Sequence, residues 1–217
     1  MKKVLLIALA LITCLAAEAQ LRTIKPFYTF NIPDISRETY IKEGGEYYPQ
    51  YYHNPMCWDL YLNECTHDVK VNNIVASSTL KSQGSKNYKA TNLYDSNHET
   101  AWVEGVKGHG IGQWIEYKGV RAFLGMEKAL SPVKEINILN GYVKSDKAWR
   151  ENGRVKRLKV YCNGKPKCIL ELQNSRSLQS FKVKGLFSKG STIKFEILDV
   201  YPGTKYQDTA ISEIYFF

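Results

Sequence analysis

The chain has little of what a membrane-spanning or helical protein requires. Its one extended hydrophobic stretch, Val4–Ala17, falls short of the roughly 18 residues that a spanning helix needs. Helical periodicity is equally scarce: apolar residues do not recur at three- and four-residue spacing over any useful length, and this argues against helical folds. Histidine is rare, with 4 in 217 residues. His53, His67, His98 and His109 fall in no H-E-x-x-H or comparable spacing, and no G-x-S-x-G nucleophile turn occurs, so the familiar hydrolase signatures are missing. Among acidic residues, only pairs such as Asp199 with Asp208 remain as conceivable catalytic couples. The Gly108-His-Gly-Ile-Gly112 run lacks the strand-then-helix context of a dinucleotide loop and reads as a plain loop. No CxxC occurs among the cysteines, which disfavours a zinc site. The chain is therefore expected not to be an enzyme.

What is present begins with an address. Lys2 and Lys3 precede the apolar run, and Ala17-Glu18-Ala19 follows it. That order is a secretory signal peptide over residues 1–19, with an A-x-A cleavage site. A lipoprotein signal ending in Leu11-Ile-Thr-Cys14 is the second reading, weakened by Thr13 where a small residue is wanted. Either way the chain is exported, and the expected location is periplasmic, secreted or cell-surface, with no transmembrane segment. In such a compartment the remaining Cys57, Cys65, Cys162 and Cys168 are expected to form disulfides. Sequence proximity favours Cys57 with Cys65 and Cys162 with Cys168, while three connectivities stay open. The Cys162-Asn-Gly-Lys-Pro-Lys-Cys168 span reads as a hairpin tip. The formal net charge of +9 suits an acidic partner, such as a sulfated or uronic-acid glycan or an anionic cell envelope, and nucleic acid is not expected for an exported chain. Lysines spread singly, as in Val155-Lys-Arg-Leu-Lys-Val160, serve equally well to keep sheet faces solvated.

From Val71 onward, short alternating segments follow one another: Val133–Leu139, Arg157–Tyr161, Ile169–Leu172, Phe181–Val183, Thr192–Ile197 and Ile211–Phe216. Turn residues separate them, which predicts an antiparallel sandwich or jelly roll over residues 71–217. Residues 20–70 differ. They cluster Tyr47, Tyr48, Tyr51, Tyr52, Trp58 and Tyr61 and read as an irregular, aromatic-rich extension stapled by Cys57 and Cys65, packed on the sandwich or serving as a binding face.

Two stretches carry candidate chemistry. In Asp95-Ser-Asn-His-Glu-Thr100, Asp95, Asn97 and Thr100 place short oxygen side chains within one turn, a set that suits a hard cation such as calcium. An Asx turn satisfying its own backbone fits the same residues. The EF-hand pattern is excluded, because Thr100 stands where the loop needs glycine. In Asn140–Arg154, Tyr142 and Trp149 offer flat faces for a sugar ring, and Lys144, Arg150 and Arg154 offer donors. Tyr201–Asp208 adds Tyr201, Lys205 and Tyr206. The same Trp149, Asn152 and Arg154 are also the kind of residues that lock a loop onto itself.

The ordered segments A-x-N-L-Y-D-x-N-x-x-T-A-W from Ala90, G-x-G-I-G-Q-W-I from Gly108, N-G-Y-x-K-S from Asn140, W-x-x-N-x-R-V-K from Trp149 and D-V-Y-P-G-T-K-x-x-D-T-x-I-S-E-I from Asp199 resemble a known family. They look like the discoidin-like (coagulation-factor type C, galactose-binding-like) β-sandwich, and within it the glycan-binding translocation domain of bacterial NAD glycohydrolases. The resemblance covers about Val71 to Phe217. It implies an all-β, antiparallel jelly-roll fold and a non-catalytic carbohydrate-binding module, with a glycan or cell-surface polysaccharide as partner. A protein-interaction or adhesion domain on the same scaffold is the alternative, and a glycan hydrolase comes third. The resemblance also implies a structural calcium ion, held by Asp95, Asn97 and Thr100 together with Glu213 on the last strand. Strict alternation would put Ile211, Glu213 and Tyr215 on one face, where a carboxylate needs a partner. A salt bridge from Lys89 or Arg121 is the competing explanation for Glu213.

Overall fold

The computed structural model describes residues 21–30, 40–43, 46–49, 68–124 and 129–217. In chain order its strands are β1 (Thr23–Ile24), β2 (Tyr28–Phe30), β3 (Tyr40–Glu43), β4 (Glu46–Pro49), β5 (Asp68–Lys70), β6 (Asn73–Ala76), β7 (Trp102–Val103), β8 (Trp114–Leu124), β9 (Ala129–Ser131), β10 (Glu135–Asn140), β11 (Gly153–Cys162), β12 (Lys165–Glu171), β13 (Leu178–Lys182), β14 (Ser191–Tyr201) and β15 (Thr209–Phe216). A short 3-10 turn spans Ala90–Tyr94, and one short helix, α1, spans Asp146–Glu151.

The alternating segments become two facing layers of a jelly-roll β-sandwich. One layer runs β2-β13-β10-β15-β7 and the other β12-β11-β14-β8-β6, antiparallel within each. The layers join at a corner where β15 and β11 briefly run parallel, Gly153 beside Thr209 and Arg154 beside Ala210. Only glycine fits that corner, since a Cβ on residue 153 would lie 2.8 Å from Thr209 Oγ1 and 3.0 Å from the Asp208 carbonyl. Inward-facing residues of both layers fill the space between: Ile136, Ile138, Phe181, Ile214 and Phe216 from one, Ile115, Tyr117, Leu158, Val160, Ile193 and Phe195 from the other. The Tyr117 and Phe216 rings meet edge to face across the interior at 4.9 Å, the geometry that aromatic quadrupoles favour.

Three expectations change on contact with the structure. Part of the N-terminal extension is regular: β1 runs parallel to β12 with Thr23 beside Ile169, and β2 pairs antiparallel with β13, so residues 23–30 strap the open edges of both layers. Glu43 and Glu46 pair across a separate hairpin of β3 and β4. The signal peptide and the Cys57–Cys65 staple lie outside the described residues. Second, Cys162 and Cys168 are buried free thiols, not a disulfide. The hairpin closes at Asn163-Gly164, with Cys162 opposite Lys165 and Cys168 opposite Val160, and a bulge lies between the two pairs. The Cys162 thiol donates to Ser191 Oγ at 3.3 Å, and burial pushes the Cys168 thiol up to about 12. Third, the alternation expected for the last strand breaks at Ser212. Leu139 pairs with Glu213 and Asn140 with Ile211, so Ser212 is an extra residue, a β-bulge. Ile211 therefore joins Ile214 and Phe216 in the core, while Glu213 and Tyr215 point out of the other face.

Candidate functional site

The register pairs Ala76–Ile115, Leu139–Leu178, Arg157–Glu171 and Gly153–Thr209 bring five connections to one end of the sandwich: residues 77–88, 104–113, 141–152, 172–177 and 202–208. All seven residues expected to bind ligand sit at this end, yet they do different work there.

Arg154 is 7% exposed and its guanidinium is committed to the chain itself. Nε donates to Asn174 Oδ1 at 3.0 Å, Nη1 to the carbonyls of Trp149 at 3.1 Å and Asn152 at 2.8 Å, and Nη2 to the Pro202 carbonyl at 3.3 Å. It also stacks 4.5 Å above the Trp149 ring, a cation–π contact. Trp149 in turn donates its indole N–H to the Asn140 carbonyl at 3.0 Å. The helix carrying it, α1, starts where Ser145 Oγ accepts from Ala148 N at 3.1 Å, a standard N-cap. Gly141, at φ +88°, makes room: a Cβ there would lie 2.7 Å from both Arg154 Cγ and Trp149 Cδ1. Tyr201 donates to the Leu172 carbonyl at 3.0 Å. Trp149, Arg154 and Tyr201 thus knot loops 141–152, 172–177 and 202–208 together.

Lys144, Arg150 and Lys205 remain exposed. Lys144 lies 3.9 Å from Glu99, Arg150 lies 3.9 Å from Asp146, and the Lys205 ammonium sits 4.9 Å from the Tyr206 ring centroid. Tyr142 is half-buried and meets Tyr88 edge-on at 6.4 Å, over a small apolar floor of Ala101, Val103 and Ala210.

Sequence reasoning missed Tyr88 altogether and took His109 for a mere loop residue. The fully buried Glu104 pins that loop, its Oε2 accepting from Val106 N at 2.8 Å and its Oε1 from Thr209 N at 3.2 Å. His109 Nδ1 faces the Gln207 carbonyl at 3.1 Å, and Thr209 Oγ1 donates to the His109 carbonyl at 2.9 Å. No short motif marks these contacts, because all but the Glu104–Val106 bond join residues about a hundred positions apart. The conceivable acid couple dissolves as well: Asp199 pairs with Lys156 Nζ at 2.9 Å, which holds its carboxyl below the usual range.

The oxygen-rich turn adopts the Asx geometry in full. Asp95 Oδ1 accepts from Asn97 N at 2.9 Å, Asn97 Oδ1 accepts from Glu99 N at 3.0 Å, and the Thr100 hydroxyl donates to Asp95 Oδ2 at 2.8 Å. Ser96 holds a positive φ of 57°, a conformation that non-glycine residues adopt only under local constraint. A self-satisfied turn does not account for Glu213. Its side chain is fully buried, and among the described residues neither carboxylate oxygen has a hydrogen bond of good geometry, although the Asn97 amide and the Tyr215 hydroxyl lie near enough to favour its charged form. Neither Lys89 nor Arg121 pairs with it; Arg121 donates to Asn72. Burial, and then the adjacent Asp95 charge, push the Glu213 carboxyl up to about 9. A buried carboxylate beside a second carboxylate is costly unless a proton or a cation joins them.

Residues 65–217 match the family described as the NAD glycohydrolase translocation F5/8 type C domain. No curated protein matches the chain. Among solved structures, CpGH89CBM32-5 from Clostridium perfringens, in complex with GalNAc-beta-1,3-galactose, is 16% identical, with 69% of this chain and 94% of that chain covered and a TM-score of 0.47. The family 32 module of Clostridium perfringens NanJ, in complex with galactose, is 15% identical over 66% of this chain and 91% of that one, at a TM-score of 0.44. The CBM32-1 and CBM32-2 domains of Clostridium perfringens ZmpB, in complex with GalNAc, are 12% identical. There the alignment covers 67% of this chain and about a third of the other, 32%, at a TM-score of 0.46.

Proposed function

Because the chain belongs to the NAD glycohydrolase translocation F5/8 type C domain family, a discoidin-like family, we propose that it is an exported, non-catalytic carbohydrate-binding module. The observation that carries this reading is the convergence of five loops at one end of the sandwich. They present half-exposed tyrosines and exposed Lys144, Arg150 and Lys205 on a framework locked by Arg154. Rigid aromatic faces rimmed by fixed polar groups are what sugar recognition requires. The exposed cations at this end suit a glycan that carries acidic groups, and the leader Lys2–Ala19 supports export.

A structural calcium ion belongs to the proposal. Asp95 and Glu213 would supply carboxylates, and Asn97 and Thr100 further oxygens; the orphaned, buried Glu213 oxygens fit a hard cation that prefers oxygen ligands. The ion would neutralise the two carboxylates and tie the turn after the 3-10 segment to β15. The Lys144–Glu99 pair links this turn to the ligand loop. A glycan array run with and without a calcium chelator tests both parts. Saturable binding to a defined saccharide, weakened by chelation, is the expected result. Binding to a purified protein and to no saccharide would instead favour the adhesion reading.

A further inference from the structure

At the loop end, the group best placed to receive a sugar is not the Trp149–Arg154 knot but the neighbouring set on loops 77–88, 104–113 and 202–208 together with Tyr142 from loop 141–152. Tyr88 and Tyr142 stand nearly perpendicular, at 87°, and Tyr206 is 42% exposed. The Val103 amide donates to the Tyr88 carbonyl at 3.4 Å and the Glu104 amide to the Thr209 carbonyl at 3.1 Å, while His109 Nδ1 faces the Gln207 carbonyl at 3.1 Å. Tyr88, His109 and Asp208 thus meet at one end of the β7–β15 pairing, and Asp208 and Tyr206 both act electrostatically on Tyr88. The backbone of Asp208 is rigidly placed, since its carbonyl accepts from Gly153 N at 2.8 Å at the corner between the layers. Its carboxylate meets only its own backbone N–H and has no ion pair or side-chain partner among the described residues, although it is half-buried in a chain of net charge +9. A half-buried carboxylate without a cation is unfavourable unless a ligand supplies donors. Burial raises its pKa accordingly. His109 Nδ1 faces a carbonyl, so it must carry the proton. In the neutral ring Nε2 is then a bare acceptor.

We propose that Tyr88, Tyr142, Tyr206, Asp208 and His109 form a subsite for an uncharged sugar ring. Asp208 accepts from two adjacent hydroxyls, His109 Nε2 accepts from a third, and a tyrosine face covers the ring's C–H side. This rests on the carbohydrate-binding reading and sharpens it. Net charge alone points to an anionic ligand, but a carboxylate acceptor at the centre repels a uronic acid, so acidic units of a longer polymer fall on the rim of Lys205, Lys144 and Arg150. An amine ligand would also suit a carboxylate among tyrosines, but the same cationic rim disfavours it.

The test is ligand-observed NMR of the full mature protein with a panel of methyl hexopyranosides, the matching methyl hexuronides and the matching amino sugars. One or more neutral hexosides should bind the parent. Asp208→Asn should weaken that binding about 10–100-fold, the loss of a charged hydrogen-bond acceptor, without lowering the Tm. Tyr206→Ala, at an exposed position, should weaken it as well. Hexuronides or amino sugars binding more tightly than neutral hexosides would overturn the subsite. So would unchanged hexoside binding in Asp208→Asn alongside loss in Arg150→Ala; both results leave the carbohydrate-binding reading standing. A folded parent that binds nothing in the panel would instead overturn that reading, and this subsite with it.

Discussion

Replacing Glu213 by glutamine should change the protein's stability in opposite directions with and without calcium. In chelator, Glu213 is a buried carboxyl whose pKa sits at about 9 in the folded state against 4.5 for the free group. A carboxyl raised on folding binds its proton more tightly in the native chain. It therefore has no effect on stability below about pH 4.5 and reduces stability progressively as pH climbs toward 9. At pH 7 the chain has crossed about 2.5 pH units of that window, and at about 1.4 kcal/mol per unit the loss is about 3 kcal/mol. Glutamine has the same shape and no such titration, and Asp95 beside it can accept from its amide. Chelated Glu213→Gln should thus melt higher than the parent, by up to about 10 °C for a domain of this size. Its advantage should shrink as the buffer is acidified to pH 5. Calcium inverts the order. An ion that binds only the folded parent adds about 4 kcal/mol at a thousand times its Kd, and the variant, short of one carboxylate, gains little. Differential scanning calorimetry of both proteins, in chelator and in millimolar calcium at pH 5 and 7, provides the comparison. A variant that is destabilised to the same extent in both buffers would refute the reasoning, because Glu213 would then be neither a strained acid nor a cation ligand.

Other outcomes follow from the loop end and the hairpin. Arg154→Met should cost about 3–5 kcal/mol by leaving several carbonyls without a donor, whereas Lys205→Ala should stay within about 0.5 kcal/mol; urea melts separate the two. Gly141→Ala combines a φ of +88° with a Cβ 2.7 Å from its neighbours, and should lower stability by about 2 kcal/mol or more, readable in the same melts. Cys162 and Cys168 should titrate with a thiol reagent only after unfolding, because both are buried and burial disfavours the reactive thiolate at Cys168. Reducing agent should leave the Tm contribution of this hairpin unchanged, and mass spectrometry of the unreduced protein should show both thiols free.

Much of the architecture was legible because strand alternation is a local signal. Thr192–Ile197 and Arg157–Tyr161 announce their inward faces residue by residue, and Asn163-Gly164 marks the hairpin between β11 and β12. Departures from regularity were not legible. Strict alternation through Ile211, Glu213 and Tyr215 put one residue too many on a face, because the Ser212 bulge depends on its hydroxyl donating to the Gly141 carbonyl at 2.9 Å and accepting from Val143 N at 3.2 Å, some seventy positions away. The tight turn at Asn163-Gly164, which pairs Cys162 with Lys165 and leaves Cys168 opposite Val160, likewise upset the disulfide expected from cysteine spacing. At the candidate site, composition drew attention to Trp149, Arg154 and Tyr201. Whether an arginine faces ligand or carbonyls depends on where the chain turns, however, and four of Arg154's acceptors are backbone oxygens, which no side-chain pattern encodes.

The N-terminal strap bears on the order in which the molecule is assembled. Thr23 pairs beside Ile169, and Tyr28 beside Ser180, so the earliest strands hydrogen-bond to partners made well over a hundred residues later. Closing so long a loop carries a large entropic cost, and it is repaid only once β12 and β13 are themselves in place. A segment made well before its partners is therefore among the last to dock. Until it does, the β12 edge of one layer and the β13 edge of the other stay open to strands of neighbouring chains. Shortening the chain from its N-terminal end past residue 30 should accordingly leave the loop end formed while exposing both edges to association with other chains.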